Sequence, residues 1–198
     1  MHQRIAEAAA ALFAARGYDA VTVTEIAGLA DVSEQTVYNF FPSKEMLVLD
    51  EDAAFQARLV GMIRERPGRA TIAGAVRTGA HAFLQELAAR PKGRKTRGGL
   101  PYLINTSPSL RRAWLAAVER YAGAVAEALV EESAGVLPPL AAKLLGFSVV
   151  GIFAFIIDEI GRARTQNANM ETLFKGLSVQ VDDAVDRIAP ALNSVRSR

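Results

Sequence analysis

Ser33, Glu34, Gln35, Thr36, Tyr38 and Asn39 put six hydrogen-bonding side chains into seven consecutive positions of the stretch DVSEQTVYNFFPSKEML, Asp31 to Leu47. Hydroxyls, a carboxylate, amides and a phenol in a row offer donors and acceptors in set directions. That is the chemistry of recognising another polar surface. The helix they belong to has barely two turns before Pro42, too few to persist alone in water. Its neighbours must hold it, and Val37, Phe40 and Phe41 are expected to dock it against Phe13 and Ile26.

Bond-breaking chemistry finds no comparable cluster. The chain lacks cysteine, which removes disulfides, thiolate metal sites and cysteine nucleophiles together. Two histidines, with no H-E-x-x-H and no Glu-x-x-His pair, make metal chemistry a poor fit. Neither G-x-x-x-x-G-K nor G-x-G-x-x-G occurs. The adjacent carboxylates Asp158-Glu159 and Asp182-Asp183 point to different sides of a helix and read as solvated. No catalytic residue, metal ligand or cofactor is expected, and the chain does not read as an enzyme.

The elements that position the polar row are helical. The 198 residues are 51% hydrophobic, enough for a sizeable core, and no stretch sustains strand alternation. About nine helices and an all-α fold are expected. The first runs from His2 or Gln3 to Arg16 and stops at Gly17. Thr22-Val-Thr-Glu25 is a capping box opening the second, with Ile26, Ala27 and Leu29 facing inward. Ser33 caps the third. Ser43 caps a long fourth helix from Lys44 to about Arg66, and a fifth spans about Ala70 to Arg90. A basic loop, Pro91 to Gly99, and a short turn at Leu100 to Ile104 follow. Ser107-Pro108 and Pro138-Pro139 open two more long helices. The last runs from about Asn169 to Ala189, ended by Pro190, with SVRSR as a frayed tail.

Three short helices, the last two joined by a tight turn, describe a helix-turn-helix unit. RIAEAAAALFAARGY, the T-x-x-x-I-A-x-x-A of Thr22 to Ala30, and VSEQTVYNFFPSKEML follow one another with the order and spacing of a known domain. Residues 4–50 closely resemble the DNA-binding domain of the TetR family of transcriptional regulators. Tyr38, Phe41 and Lys44 sit where that family keeps a tyrosine, an aromatic and a lysine. The resemblance implies a helix-turn-helix domain over 1–46 and a helical ligand-binding and dimerisation domain over 47–198. It also implies a ligand-released repressor that binds a palindromic double-stranded operator as a homodimer.

In such domains the third helix enters the major groove with its N-terminal residues toward the bases. Gln35 can then pair bidentately with adenine, Glu34 can accept from a cytosine amino group, and Thr36 can meet a thymine methyl or a phosphate. Ser33 is a cap first, with base contact as its second role, and Asn39 divides between solvent and DNA. Tyr38 is expected on the DNA backbone. Lys44 would clamp a phosphate at a helix start, and Thr22 and Thr24 would grip the other side. Asp31 stands where glycine is common in the turn, at a strain of roughly 1 kcal/mol.

Charge alone would not have found this region. The net is +2, but residues 1–50 hold three Lys/Arg against seven Asp/Glu. Charges on a face turned away from DNA are screened within about 8 Å at physiological salt. Glu34 lies at the groove, where it is expected to suppress non-specific binding.

Beyond residue 50 the resemblance is one of architecture. Met62, His81, Phe83, Tyr102, Trp114 and Tyr121 are the candidates for lining a largely apolar effector pocket. Phe147, Phe153 and Phe155, with Leu173, Leu177 and Val181, are the candidates for a four-helix dimer contact. The apolar run Leu144 to Ile157 has fourteen uncharged residues, short of the roughly 17–25 a membrane span needs. Glu7 interrupts any signal-peptide reading of the N-terminus, so a cytoplasmic location with no membrane partner is expected. The rival reading is a helical protein-interaction module with an idle helix-turn-helix, its contact site the basic loop Lys92 to Arg97.

Overall fold

Thr22 and Glu25 cap each other's backbone. The Thr22 N–H donates to Glu25 Oε2 at 2.8 Å, and the Glu25 N–H donates to Thr22 Oγ1 at 3.2 Å. The exchange satisfies two of the donors that any helix start leaves open. It opens α2 (Val23–Leu29), which follows α1 (His2–Arg16). Ser33 Oγ accepts the Thr36 N–H at 3.1 Å and opens α3 (Glu34–Phe40). Between α2 and α3, Asp31 adopts φ 51°, the left-handed geometry the turn demands. Arg4 donates to the Asp31 carbonyl at 3.2 Å and ties that turn to α1.

The computed structural model describes residues 1–49, 52–67, 70–89, 99–166 and 168–195, and among them all regular structure is helical. After α3 come a 3-10 turn (Glu45–Leu47), α4 (Asp52–Arg64), α5 (Ile72–Ala89) and α6 (Leu100–Thr106). Then follow α7 (Pro108–Glu132), α8 (Pro139–Thr165) and α9 (Met170–Asn193). Contacts divide the chain into two compact units. The first comprises Met1–Asp52, Pro91–Leu115 and Ile157–Ala168; the second comprises Ala53–Arg90, Ala116–Ile156 and Asn169–Arg198.

In the first unit Ile5, Ala9 and Phe13 of α1 are buried with Ile26, Val37 and Phe41. Two expected core residues are not there. Val23, Ile26, Ala27 and Ala30 form the inward arc of α2, so Leu29 falls outside it and is exposed. Val37 and Phe41, four residues apart, take the inward side of α3, and Phe40 is left exposed beside the His2 ring.

The fourth helix does not start at Lys44. Leu47 and Leu49 are both buried, and on a continuous α-helix residues two apart point to nearly opposite sides. The chain instead makes a 3-10 turn there, and the α-helix starts at Asp52. Residues 100–106 form a full helix where a turn was expected. Pro101 sits in its first turn, and Leu103 and Ile104 are buried. Gly161 of α8 admits it closely, since a Cβ there would come within 3.0 Å of the Pro101 carbonyl oxygen and Asn105 Nδ2.

In the second unit α5 packs along α9. Arg77 donates to Asp182 and Asp186, and Ala73 N–H is capped by Asn193 Oδ1 at 3.3 Å. Helix α9 therefore passes through Pro190 instead of ending at it. The lost backbone hydrogen bond is outweighed by the burial of Leu192 and Val195 and by the Asn193 cap. Ser194 and Val195 are accordingly ordered parts of this end, and only 196–198 of the expected tail lie outside the described residues. By length and composition α8 alone among the described helices would suffice to cross a membrane. One of its sides is buried in the protein, with Val149, Phe153 and Ile156 fully covered.

Candidate nucleic-acid interface

Helix α3 presents its polar row outward. Ser33, Glu34, Gln35, Tyr38 and Asn39 are exposed, and Thr36 is half-buried. The row is ordered from within: Gln35 Nε2 donates to Asn39 Oδ1 at 3.1 Å, and the Ser33 and Thr36 hydroxyl oxygens lie 2.8 Å apart. Tyr38 is 44% exposed although aromatic, which leaves its phenol free to reach outward. Thr22 and Thr24 are exposed at the start of α2. Ser33 and Thr22 both act as caps, so each hydroxyl already serves the backbone. The helix-turn-helix is thus anchored by Val37 and Phe41 and turns a row of donors and acceptors outward.

Lys44 is placed differently from the other candidates. Its ammonium donates to the Tyr18 carbonyl at 2.7 Å and sits 4.2 Å from the Tyr18 ring centroid. Burial holds its pKa below the ordinary lysine value, against the pull of Asp19 and Glu45. One of its N–H groups therefore fixes the loop between α1 and α2.

The Glu25 carboxyl is held well below its ordinary range, down to about 2 from 4.5. The Thr22 backbone N–H is the main cause, with Arg16 at 2.6 Å and the Thr22 hydroxyl adding to it. A carboxylate lowered by folding stabilises the fold fully above its ordinary pKa, and that contribution is lost as pH falls through the folded value. Wild type is thus expected to melt above Glu25→Gln at neutral pH, with the gap in Tm closing between about pH 4.5 and 2. Melting both proteins across that range checks it; a gap that stays constant would remove the carboxylate from the account.

Asp19, in the loop before α2, is bound by two hydroxyls. Ser107 Oγ donates to Asp19 Oδ1 at 3.0 Å and Ser109 Oγ to the same oxygen at 2.5 Å. Ser107 also accepts the Leu110 N–H at 3.2 Å, so one buried hydroxyl caps α7 and holds the loop before α2. Nearby, Arg111 pairs with Asp158, which is therefore not merely solvated. The Arg111 and Asp158 side chains line a groove of about 470 Å³ with Ile104, Asn105, Pro108 and Arg162.

The effector candidates separate. In the second unit Phe83 and Tyr121 each lie 5.4 Å from the Phe55 ring, and Phe153 completes the cluster at 5.6 Å from Phe83. Phe55 was missed because the fourth helix was set to begin too early to suggest its facing. Met62 lies against Gly79, where its thioether leaves no room for a Cβ. His81 is half-buried, with Nε2 2.9 Å from Asp182 Oδ1 and Nδ1 3.3 Å from Ser178 Oγ. It belongs to the Arg77–Asp182 network, so Asp182 too is ion-paired. Asp183 pairs with Arg187. Tyr102 and Trp114 belong to the first unit.

Of the dimer candidates, Phe153, Leu177 and Val181 are buried in the chain's own core. A second chain would have to open the core to reach Phe153 or Leu177, whereas Val181 also lines a groove beside Phe155. Phe147 and Phe155 are exposed with Leu140 and Leu144 along one side of α8, and Leu173 is half-buried. The basic loop Lys92 to Arg97 lies outside the described residues.

Residues 5–50 match the family described as bacterial regulatory proteins, tetR family. No curated protein matches the chain. Among solved structures, the TetR family repressor AlkX of Dietzia sp. strain DQ12-45-1b, implicated in biodegradation of n-alkanes, is 21% identical. The match covers 98% of each chain at a TM-score of 0.59. The repressor FadR of Thermus thermophilus, in complex with lauroyl-CoA, is 25% identical over 95% of this chain and 92% of its own, at 0.57. FadR of Bacillus subtilis, in complex with stearoyl-CoA, is 19% identical over 91% and 97%, also at 0.57.

Proposed function

We propose that this chain, whose N-terminal residues form a TetR-type helix-turn-helix domain, is a ligand-responsive transcriptional repressor that binds a palindromic operator as a homodimer. The observation that carries the reading is the exposed polar row of α3, set on a helix whose two inward residues and Ser33 cap fix its direction. Gln35 reads a base edge and Tyr38 holds the phosphate backbone. Lys44 serves the same surface by holding the loop before α2. The exposed apolar side of α8 joins two copies, and an effector binds in the second unit. Helices α7 and α8, which contribute residues to both units, carry the signal. The expected coupling is the usual 1–3 kcal/mol between two sites.

The test is selection of random duplex DNA by the purified protein, followed by salt titration of the recovered sequence. A palindrome with half-sites about 34–36 Å apart is the expected product. Gln35→Ala should relax preference at one base pair, worth about 1–3 kcal/mol, while Tyr38→Phe should weaken binding alike on every sequence. No enrichment at low salt would overturn the reading and bring forward a protein-interaction module.

A further inference from the structure

Arg58 of α4 has an unusual hydrogen-bond balance. Its Nη1 donates to both Glu86 oxygens, at 2.8 and 2.7 Å. Its Nε and Nη2 are buried with no hydrogen-bond partner among the described residues. These two nitrogens form one edge of the guanidinium, with parallel N–H vectors that match the two oxygens of a carboxylate. The edge lies among rings, the guanidinium carbon standing 5.1 Å from the Phe83 centroid and 5.8 Å from that of Phe55. Ring faces attract a cation but offer no lone pair for an N–H. A buried charged donor without an acceptor is costly, and native proteins rarely keep two on one group.

We infer that the free Nε–Nη2 edge of Arg58 anchors the carboxylate of a hydrophobic acid, whose apolar body rests on Phe55, Phe83, Tyr121 and Phe153. The inference deepens the effector role proposed above and rests on it for its biological meaning. The Arg58 side chain is 35% exposed and Phe55 is half-buried, so the site lies at the margin of its unit. Phe55 is the ring that must move for entry. Glu86 is an internal competitor: it neutralises the guanidinium and lowers its attraction for a second carboxylate.

The test is calorimetric titration of the full chain with 2-naphthoate and octanoate, each against its primary amide. At least one acid is expected to bind tenfold or more tighter than its amide. Arg58→Lys, which keeps the charge and loses the fork, should remove that preference. Glu86→Gln should tighten acid binding several-fold, whereas a purely structural ion pair would make this variant weaker or leave it unchanged. The assignment is overturned if neither acid binds, if acid and amide bind alike, or if Arg58→Lys leaves the preference intact. The two readings fail separately. Acid binding that leaves the selected duplex bound would end the effector role and keep the site, while acid binding by a protein that selects no duplex would end the regulator role alone.

Discussion

On the proposed homodimer, with two copies joined along α8, Phe155→Glu is expected to give a monomer that folds normally and binds the selected duplex about 10²–10⁴-fold more weakly. Leu140, Leu144, Phe147, Gly151 and Phe155 recur along α8 at i, i+4, i+7, i+11 and i+15, a single stripe. The four large ones are exposed, from 39% for Phe147 to 71% for Leu140. Soluble monomers seldom leave so continuous an apolar strip uncovered. A Cβ at Gly151 would meet nothing within 4 Å, so the middle of the stripe is open to a second helix. Beside it Phe155, Ile152 and Ser148 line a groove of about 380 Å³ with Gln180, Asp183 and Ala184 of α9. A glutamate buried there without a partner would oppose association by several kcal/mol. Phe155 takes little part in its own core, so the circular dichroism spectrum and Tm should hardly change. Losing the dimer removes the effective concentration that a bound first head gives the second, which sets the range quoted. Sedimentation velocity and duplex titration would measure both effects. A variant that stays dimeric would move the interface off this stripe.

The head was largely legible in the sequence because its signals are local. A threonine and a glutamate three apart, a serine before a short helix and an aspartate in a turn each act on backbone groups a few residues away. What failed depended on partners distant in sequence. Pro190 reads as a stop until Leu192 is buried and Asn193 caps α5, 120 residues earlier. A seven-residue helix such as α2 or α3 wraps nearly twice, so periodicity cannot say whether Leu29 or Phe40 faces in. The second unit was harder still. Phe153 was assigned to a dimer contact and packs instead against Phe83 and Phe55, since an apolar helix with two candidate sides does not declare which one its own chain covers. Arg58 gave no signal at all, because its ion pair lies 28 residues away and its significance lies in the bonds it leaves unmade.

Gly161→Ala should lower the Tm by about 2–12 °C, against little change or a small rise for Gly176→Ala. The two glycines lie within long helices, and on propensity alone alanine would favour each by up to about 1 kcal/mol. Their surroundings differ. Nothing comes within 4 Å of a Cβ at Gly176, so the propensity gain stands. At Gly161 the methyl would overlap the Pro101 carbonyl oxygen and Asn105 Nδ2, two groups already joined by a 3.0 Å hydrogen bond. Asn105 can rotate only by breaking that bond, and the backbone oxygen cannot rotate at all. Helix α6 must therefore back away, and overpacking of this kind costs typically 1–3 kcal/mol, occasionally more. For a chain of this size each kcal/mol moves Tm by about 2–4 °C. Movement of α6 also displaces Ser107, the next residue after its end, and with it the hydroxyl that holds Asp19. Gly161→Ala is thus expected to loosen the loop before α2 and weaken duplex binding at temperatures where the protein remains folded. Ser107→Ala should reproduce the binding loss with a smaller fall in Tm. Scanning calorimetry of the three variants, with duplex titration at 20 °C, tests the pair of effects; equal Tm values for Gly161→Ala and wild type would mean that α6 does not rest on this glycine.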